Sequence, residues 1–100
     1  MKNILLVCTA GMSTSMLVNK MKKAAEESGI EANIEAKSLA EAKKQIAEAD
    51  IVLLGPQIRY ELKNVQKIAG DTPVEAIDMM DYGMMNGKKV LEHALEVIGE

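Results

Sequence analysis

Residues 3–16 read NILLVCTAGMSTSM: an apolar run, the chain's single cysteine, then small and hydroxylated residues. Asn3–Val7 is almost continuously apolar, as befits a central parallel strand covered on both faces. Cys8 closes that run. Thr9, Ala10, Gly11, Met12, Ser13 and Thr14 then lead into an amphipathic segment, Ser15–Ser28. There Met16, Leu17, Met21, Ala24 and Ala25 are read as one face, opposite Asn19, Lys22, Lys23 and Glu26. Gly29 ends the helix at the usual glycine position.

Three more strand-like segments follow, separated by helical ones. Asp50–Leu54 (DIVLL) is again nearly all apolar, while Ala32–Ala36 (ANIEA) and Val74–Asp78 (VEAID) alternate and suit flanking strands. Ser38 with Glu41 forms a capping box opening a second helix that extends to about Ala49. Ile58, Leu62, Val65 and Ala69 stripe a third, stopped by Gly70 and Pro73. Gly87–Ile98 forms the last, capped by Asn86, with Val90, Leu91, Ala94 and Ile98 inward. The βαβαβαβα pattern predicts one α/β domain over residues 1–100. Its four-stranded parallel sheet runs in the order 2-1-3-4, with helices on both faces. Ligands of such sheets bind beyond the carboxyl ends of the strands, where the winding reverses. That point is the end of the first strand, at Cys8.

Composition narrows the partners. One hundred residues suffice for one core, and 48% are apolar, drawn from aliphatic residues and eight methionines. With no Trp or Phe and two Tyr, stacking platforms for single-stranded nucleic acid are scarce. Twelve Lys and Arg against 15 Asp and Glu give a net charge of −3, which speaks against nucleic acid and anionic membranes. A lone cysteine forms no internal disulfide, so a reducing cytoplasm is expected. The opening MKNILLVC resembles a lipoprotein signal, but Ile4–Val7 is too short an apolar run and Val7 is not small. No run approaches the roughly 18 apolar residues of a membrane-spanning helix.

The turn from Cys8 into the first helix leaves backbone N–H groups without helical partners, pointing into one concavity. Gly11 lets the backbone curl close to a bound anion, and the helix dipole adds partial positive charge. The result is an anion cradle with a thiol at its rim, where a thiolate nucleophile is favoured. Thr9, Ser13, Thr14 and Ser15 offer side-chain donors to phosphate oxygens, or cap the helix. A phosphate-handling thiol and an inert buried cysteine in a tight turn both fit these residues. The loop is neither a Walker A motif nor a dinucleotide-binding glycine pattern. No metal site and no cofactor are expected, since Cys8 has no Cys or His close in sequence.

LLVCTAGMSTSMLVNKM, DIVLLGPQIRY, PVEAID and YGMMNGKKVLEHAL together resemble the enzyme IIB component of the lactose/cellobiose family of the sugar phosphotransferase system. The resemblance spans essentially the whole chain with its motifs in order. It implies a cytosolic phosphocarrier in which Cys8 accepts a phosphoryl group from a phosphohistidine of the IIA component. The group then passes to a β-linked disaccharide, such as cellobiose or lactose, held by the membrane component IIC. Residues Thr9, Ala10, Gly11, Met12, Ser13, Thr14 and Ser15 match the family's phosphate-binding loop.

The same loop resembles that of low-molecular-weight tyrosine phosphatases, which carry an arginine where this chain has Thr14. An arginine fork stabilises a transferring phosphoryl group in a way that hydroxyls cannot. A phosphatase is therefore the second reading, and a signalling module built on the same loop a third.

Partner docking is expected around the strand ends, at Met12, Gln57, Arg59, Tyr60, Tyr82, Met84 and Met85. This set holds both tyrosines and the only arginine, types enriched in interface hot spots, and adaptable methionines. Arg59 and Tyr60 fall off the third helix's apolar stripe and should be exposed. Asp78 and Asp81 are read as capping or bounding a surface loop, a phosphatase-type general acid being the alternative. His93, the only histidine, is expected on the polar face of the last helix beside Lys89 and Glu96, away from the strand ends and from catalysis.

Overall fold

The structure, a computed structural model, describes residues 2–8 and 12–99, with the backbone alone for 12–14. In chain order it comprises β1 (Lys2–Cys8), α1 (Met12–Glu27), β2 (Ala32–Ser38), α2 (Leu39–Ala42), β3 (Ile51–Leu54), α3 (Leu62–Ala69), β4 (Val74–Ala76), α4 (Met79–Gly83) and α5 (Gly87–Ile98). Short 3-10 turns cover Ile46–Glu48 and Pro56–Glu61.

The strands form one parallel sheet in the order β2-β1-β3-β4, as the sequence predicts. Ile4 stands beside Ile34 on one edge and Ile51 on the other, and Cys8 beside Ser38. Alternate side chains of β1 feed two cores. Ile4 and Leu6 pack with Leu17, Met21 and Leu91 from α1 and α5, while Leu5 and Val7 pack with Ala42, Ile46 and Val65 on the opposite face. Each of the Val, Leu, Ile and Met side chains among them contributes about 1.5–3 kcal/mol by leaving water. Asp50, read as the first residue of the third strand, precedes it and turns its carboxylate to accept from the Asn3 amide at 2.7 Å.

Three local readings are corrected. α1 begins at Met12 rather than Ser15, and its buried face is Leu17, Val18, Met21 and Ala25, with Met16 54% exposed. At about 100° per residue, those four residues share an arc from which residue 16 is excluded. The second helix does not run to Ala49. Its capping box forms, Ser38 Oγ accepting from the Glu41 amide at 3.4 Å, but α2 closes at Ala42. The chain then tightens, Gln45 N–H donating to Ala42 C=O at 2.7 Å, and Thr72 donates to the Ala47 and Ala49 carbonyls. Ala42 and Ile46 stay buried four residues apart, so the helical spacing survives although the helix does not. Residues after β4, read as a loop, form α4 because Asp78 Oδ1 accepts from the amides of Met80 (2.8 Å) and Asp81 (3.2 Å).

The last helix matches its expected bounds, with Asn86 Oδ1 accepting from Lys89 N–H at 3.2 Å. Its first residue sits on the backbone of α1. A β-carbon at Gly87 would lie 2.6 Å from both the Lys20 carbonyl carbon and the Met21 nitrogen. Gly87→Ala should therefore force the two helices apart and destabilise the fold by about 1–3 kcal/mol, read by urea unfolding.

Candidate functional site

Cys8 is the last residue of the central strand and is 6% exposed. Two neighbours bracket it. Ser38, its register partner on β2, directs its side chain into the α2 cap. On the other edge Gly55, just past β3, donates its N–H to Val7 C=O at 2.9 Å, and a β-carbon there would stand 3.6 Å from Cys8 Cβ. That is ordinary contact with Cys8, whereas the same β-carbon would overlap Gln57 Oε1 at 2.8 Å and displace that side chain. The sequence reading missed this, although a glycine directly after a strand was its signal.

Thr9, Ala10 and Gly11, and the side chains of Met12, Ser13 and Thr14, lie outside the described residues. Ser15 is exposed in the first turns of α1. Among the described residues no cluster of His, Cys, Asp and Glu could hold a metal ion.

Around Cys8 the carboxyl ends of β3 and β4 raise two segments. Ile77 N–H donates to Leu54 C=O at 2.8 Å and leads into α4, while Gly55 leads into the turn of Pro56–Glu61. Gln57 Nε2 donates to Tyr82 Oη at 3.4 Å, and Arg59 Nη1 lies 3.9 Å from Met79 Sδ, joining the two. Arg59 and Tyr60 are exposed, Tyr60 at 75%, as expected. Met79, Met80 and Met84 are exposed as well. Tyr82, expected on the docking rim, is instead buried in the core, because it is the one side chain that anchors α4. Met85 is half-buried against the same core. Gln57, Arg59, Tyr60 and Met84 thus share an open rim, and Met79 and Met80 join it without having been anticipated.

The family described as "PTS system, Lactose/Cellobiose specific IIB subunit" matches residues 3–93. The chain belongs to this family. It is 49% identical over 100 residues to the oligo-beta-mannoside-specific EIIB component of Bacillus subtilis (strain 168), covering 98% of this chain and 97% of the relative. With the cellobiose-specific EIIB component of Lactococcus lactis subsp. lactis (strain IL1403) it shares 46% identity over 101 residues, covering 93% of each. The solution structure of a cellobiose-specific IIB component from Borrelia burgdorferi superposes with a TM-score of 0.80 at 44% identity, covering 97% of this chain and 91% of that one. The chain is thus a sugar phosphotransferase-system IIB component of the lactose/cellobiose type. No helix among the described residues is long and apolar enough to cross a membrane.

The placement of His93 is corrected as well: expected away from the strand ends, it packs against β4 and lines a cavity with Ala76, Ile77 and Asp78 at that strand's carboxyl end. Glu75 lies opposite Leu53 in the β3–β4 register and so faces α5, where its Oε1 is 2.6 Å from His93 Nε2. Asp78, Asp81, Lys89, His93 and Glu96 line the adjoining cavity of about 510 Å3. The hydrogen bond to Glu75 raises the His93 pKa above the ordinary histidine value, opposed by slight desolvation and aided by the charges of Glu75, Glu96 and Asp81. A raised native value stabilises the fold fully below the unfolded-state pKa of about 6.5, and the gain disappears as pH rises through the native pKa. Both side chains are open to solvent (56% and 38% exposed), so the effect is small. His93→Gln should cost no more than about 1 kcal/mol near pH 6 and still less near pH 8, read as urea midpoints at each pH.

Proposed function

We propose that this IIB component is a phosphocysteine carrier acting at the cytoplasmic face of the membrane. The observation that carries the proposal is the position of Cys8, last in the central strand and bracketed by Ser38 and Gly55 at the point where the sheet's winding reverses. The Cys8 thiolate attacks the phosphorus of an N-phosphohistidine on IIA. The S–P bond forms as the P–N bond breaks, and the imidazole leaves. A hydroxyl of the sugar bound by IIC then attacks the same phosphorus: the O–P bond forms as the S–P bond breaks, the hydroxyl proton passes to solvent, and Cys8 leaves as thiolate. Backbone amides and hydroxyls of Thr9–Ser15 neutralise the phosphoryl oxygens in both steps.

Carrier rather than hydrolase chemistry is supported by two features. Thr14 stands where a phosphatase of similar loop has arginine, and the Asp78 carboxylate is engaged by two amides as a helix cap. The sugar is a β-linked disaccharide. Two relatives at 49% and 46% identity are named for different sugars, oligo-β-mannoside and cellobiose, which supports selection by IIC rather than by this chain.

Incubation with phosphorylated IIA should add one phosphoryl group to Cys8, located by mass spectrometry, and Cys8→Ala should abolish the label. A label on His93, or one persisting in Cys8→Ala, would refute the assignment.

Both partners must reach one sulfur, so they use overlapping surfaces in turn. The exposed Arg59 and Tyr60, beside Met79, Met80 and Met84, suit that contact. Arg59→Ala and Tyr60→Ala should each slow phosphoryl transfer from IIA by about tenfold, with thermal unfolding nearly unchanged. Wild-type transfer rates in both variants would move the docking face elsewhere.

A further inference from the structure

On the α1–α5 side of the molecule, a groove of about 680 Å3 runs along α1 and under the start of α5. Met16 and Met85 supply apolar surface at one end, and Lys20, Lys23 and Lys88 flank it. Among the described residues, none of these three lysines has a carboxylate within ion-pair distance. Glu27, at the far end of the helix, is the one acidic side chain lining the groove, which leaves a local positive excess on an acidic chain. Exposed charges act over about one Debye length, roughly 8 Å at physiological salt, so an approaching partner meets this local field rather than the net charge.

The geometry is that of a helix seat. Met16, Lys20, Lys23 and Glu27 follow one another at i, i+4, i+7 and i+11, a single stripe along α1 about 16 Å long. Gly87 holds α5 directly against the backbone of Lys20 and Met21, so Lys88 projects from a fixed wall rather than from a loop.

We infer that this groove seats an acidic amphipathic helix of a protein partner, its carboxylates beside Lys20, Lys23 and Lys88 and an apolar side chain between Met16 and Met85. Charge complementarity selects this occupant. A basic helix would meet three ammonium groups, and a purely apolar one would leave them without partners. The partner is the phosphoryl donor, a clause that rests on the relay reading. Cys8 ends β1 and α1 starts at Met12, so Met16 is one turn into the helix and marks the end of the groove nearer the thiol, where a donor engaged at Cys8 meets it first.

The test has two arms. A synthetic helical peptide of about 15 residues, with Glu and Leu on one face, is titrated into 15N-labelled protein. Amide shifts should concentrate at residues 16–28 and 85–88. The double variant Lys20→Glu/Lys23→Glu, and separately Lys88→Glu, should weaken binding by about tenfold, as should replacing the peptide's Glu with Gln. Lys22→Glu/Lys67→Glu, an equal charge change elsewhere, should leave affinity within about twofold. Shifts centred elsewhere, or equal weakening by both double variants, would overturn the groove. In the second arm, Lys20→Glu/Lys23→Glu should raise the KM for phosphorylated IIA about fivefold with kcat unchanged, and an unchanged KM would overturn the donor as occupant. The peptide arm does not involve Cys8, so failure of the relay reading leaves it readable.

Discussion

β1 is hydrogen-bonded along both edges, to β2 from Lys2 to Cys8 and to β3 from Ile4 to Val7, and every residue from Ile4 onward is buried. This double clamp fixes the position of the thiol. A one-residue slip would move Cys8 by about 3.3 Å and exchange the side chains feeding the two cores, placing Leu5 and Val7 among the partners of Ile4 and Leu6. Neither core tolerates that exchange without voids and overlaps. The stability of the sheet and the placement of the Cys8 thiol are therefore one constraint.

The rim around Cys8 separates anchoring from contact. α4 has five residues, far too few to hold together by helix propensity, and relies on the Asp78 cap and the buried Tyr82 ring. Tyr82 Oη accepts from Gln57, tying α4 to the segment after β3. With these internal contacts holding the backbone, Met79, Met80 and Met84 can remain exposed without being needed by the core. Unbranched thioether side chains repack against differently shaped surfaces at low cost, a property that suits the two-partner docking proposed for this rim.

The strand order and the position of Cys8 were legible because near-continuous apolar runs and crossover handedness leave few alternatives. The last helical stripe was equally clear, but the third was legible only in part: Ile58, read as its first member, is buried from a 3-10 turn with non-helical backbone, and α3 begins at Leu62. α4 was not legible: Met79 and Met80 within it and Met84 just after it face solvent, so no apolar period marks it, and only Asp78 as a cap hinted at it. Met16 was misassigned because methionine is read as core, whereas the β-branched Val18 completes the buried arc. The His93–Glu75 pair depends on which face of β4 meets α5, and this follows from the Glu75–Leu53 register rather than from local sequence. Ser38 was recognised as a cap, but its place beside Cys8 likewise emerges only from strand pairing.

Cys8 sits at the end of a sheet whose neighbouring positions are small or turned away, Gly55 on one side and the capping Ser38 on the other. A sugar pocket would need convergent polar side chains around a cavity at this point. The described residues around Cys8 instead offer a close backbone and an open rim of Gln57, Arg59, Tyr60 and methionines. Such a surface accommodates another protein's active group more readily than a free sugar. Burial of the thiol adds the complementary property. In the relay reading, a phosphoryl group carried on a 6%-exposed cysteine is approached mainly by what a docked partner brings to it, and bulk water has little access to compete. In that reading, the same feature that conceals the Cys8 thiol from solvent makes transfer depend on docking.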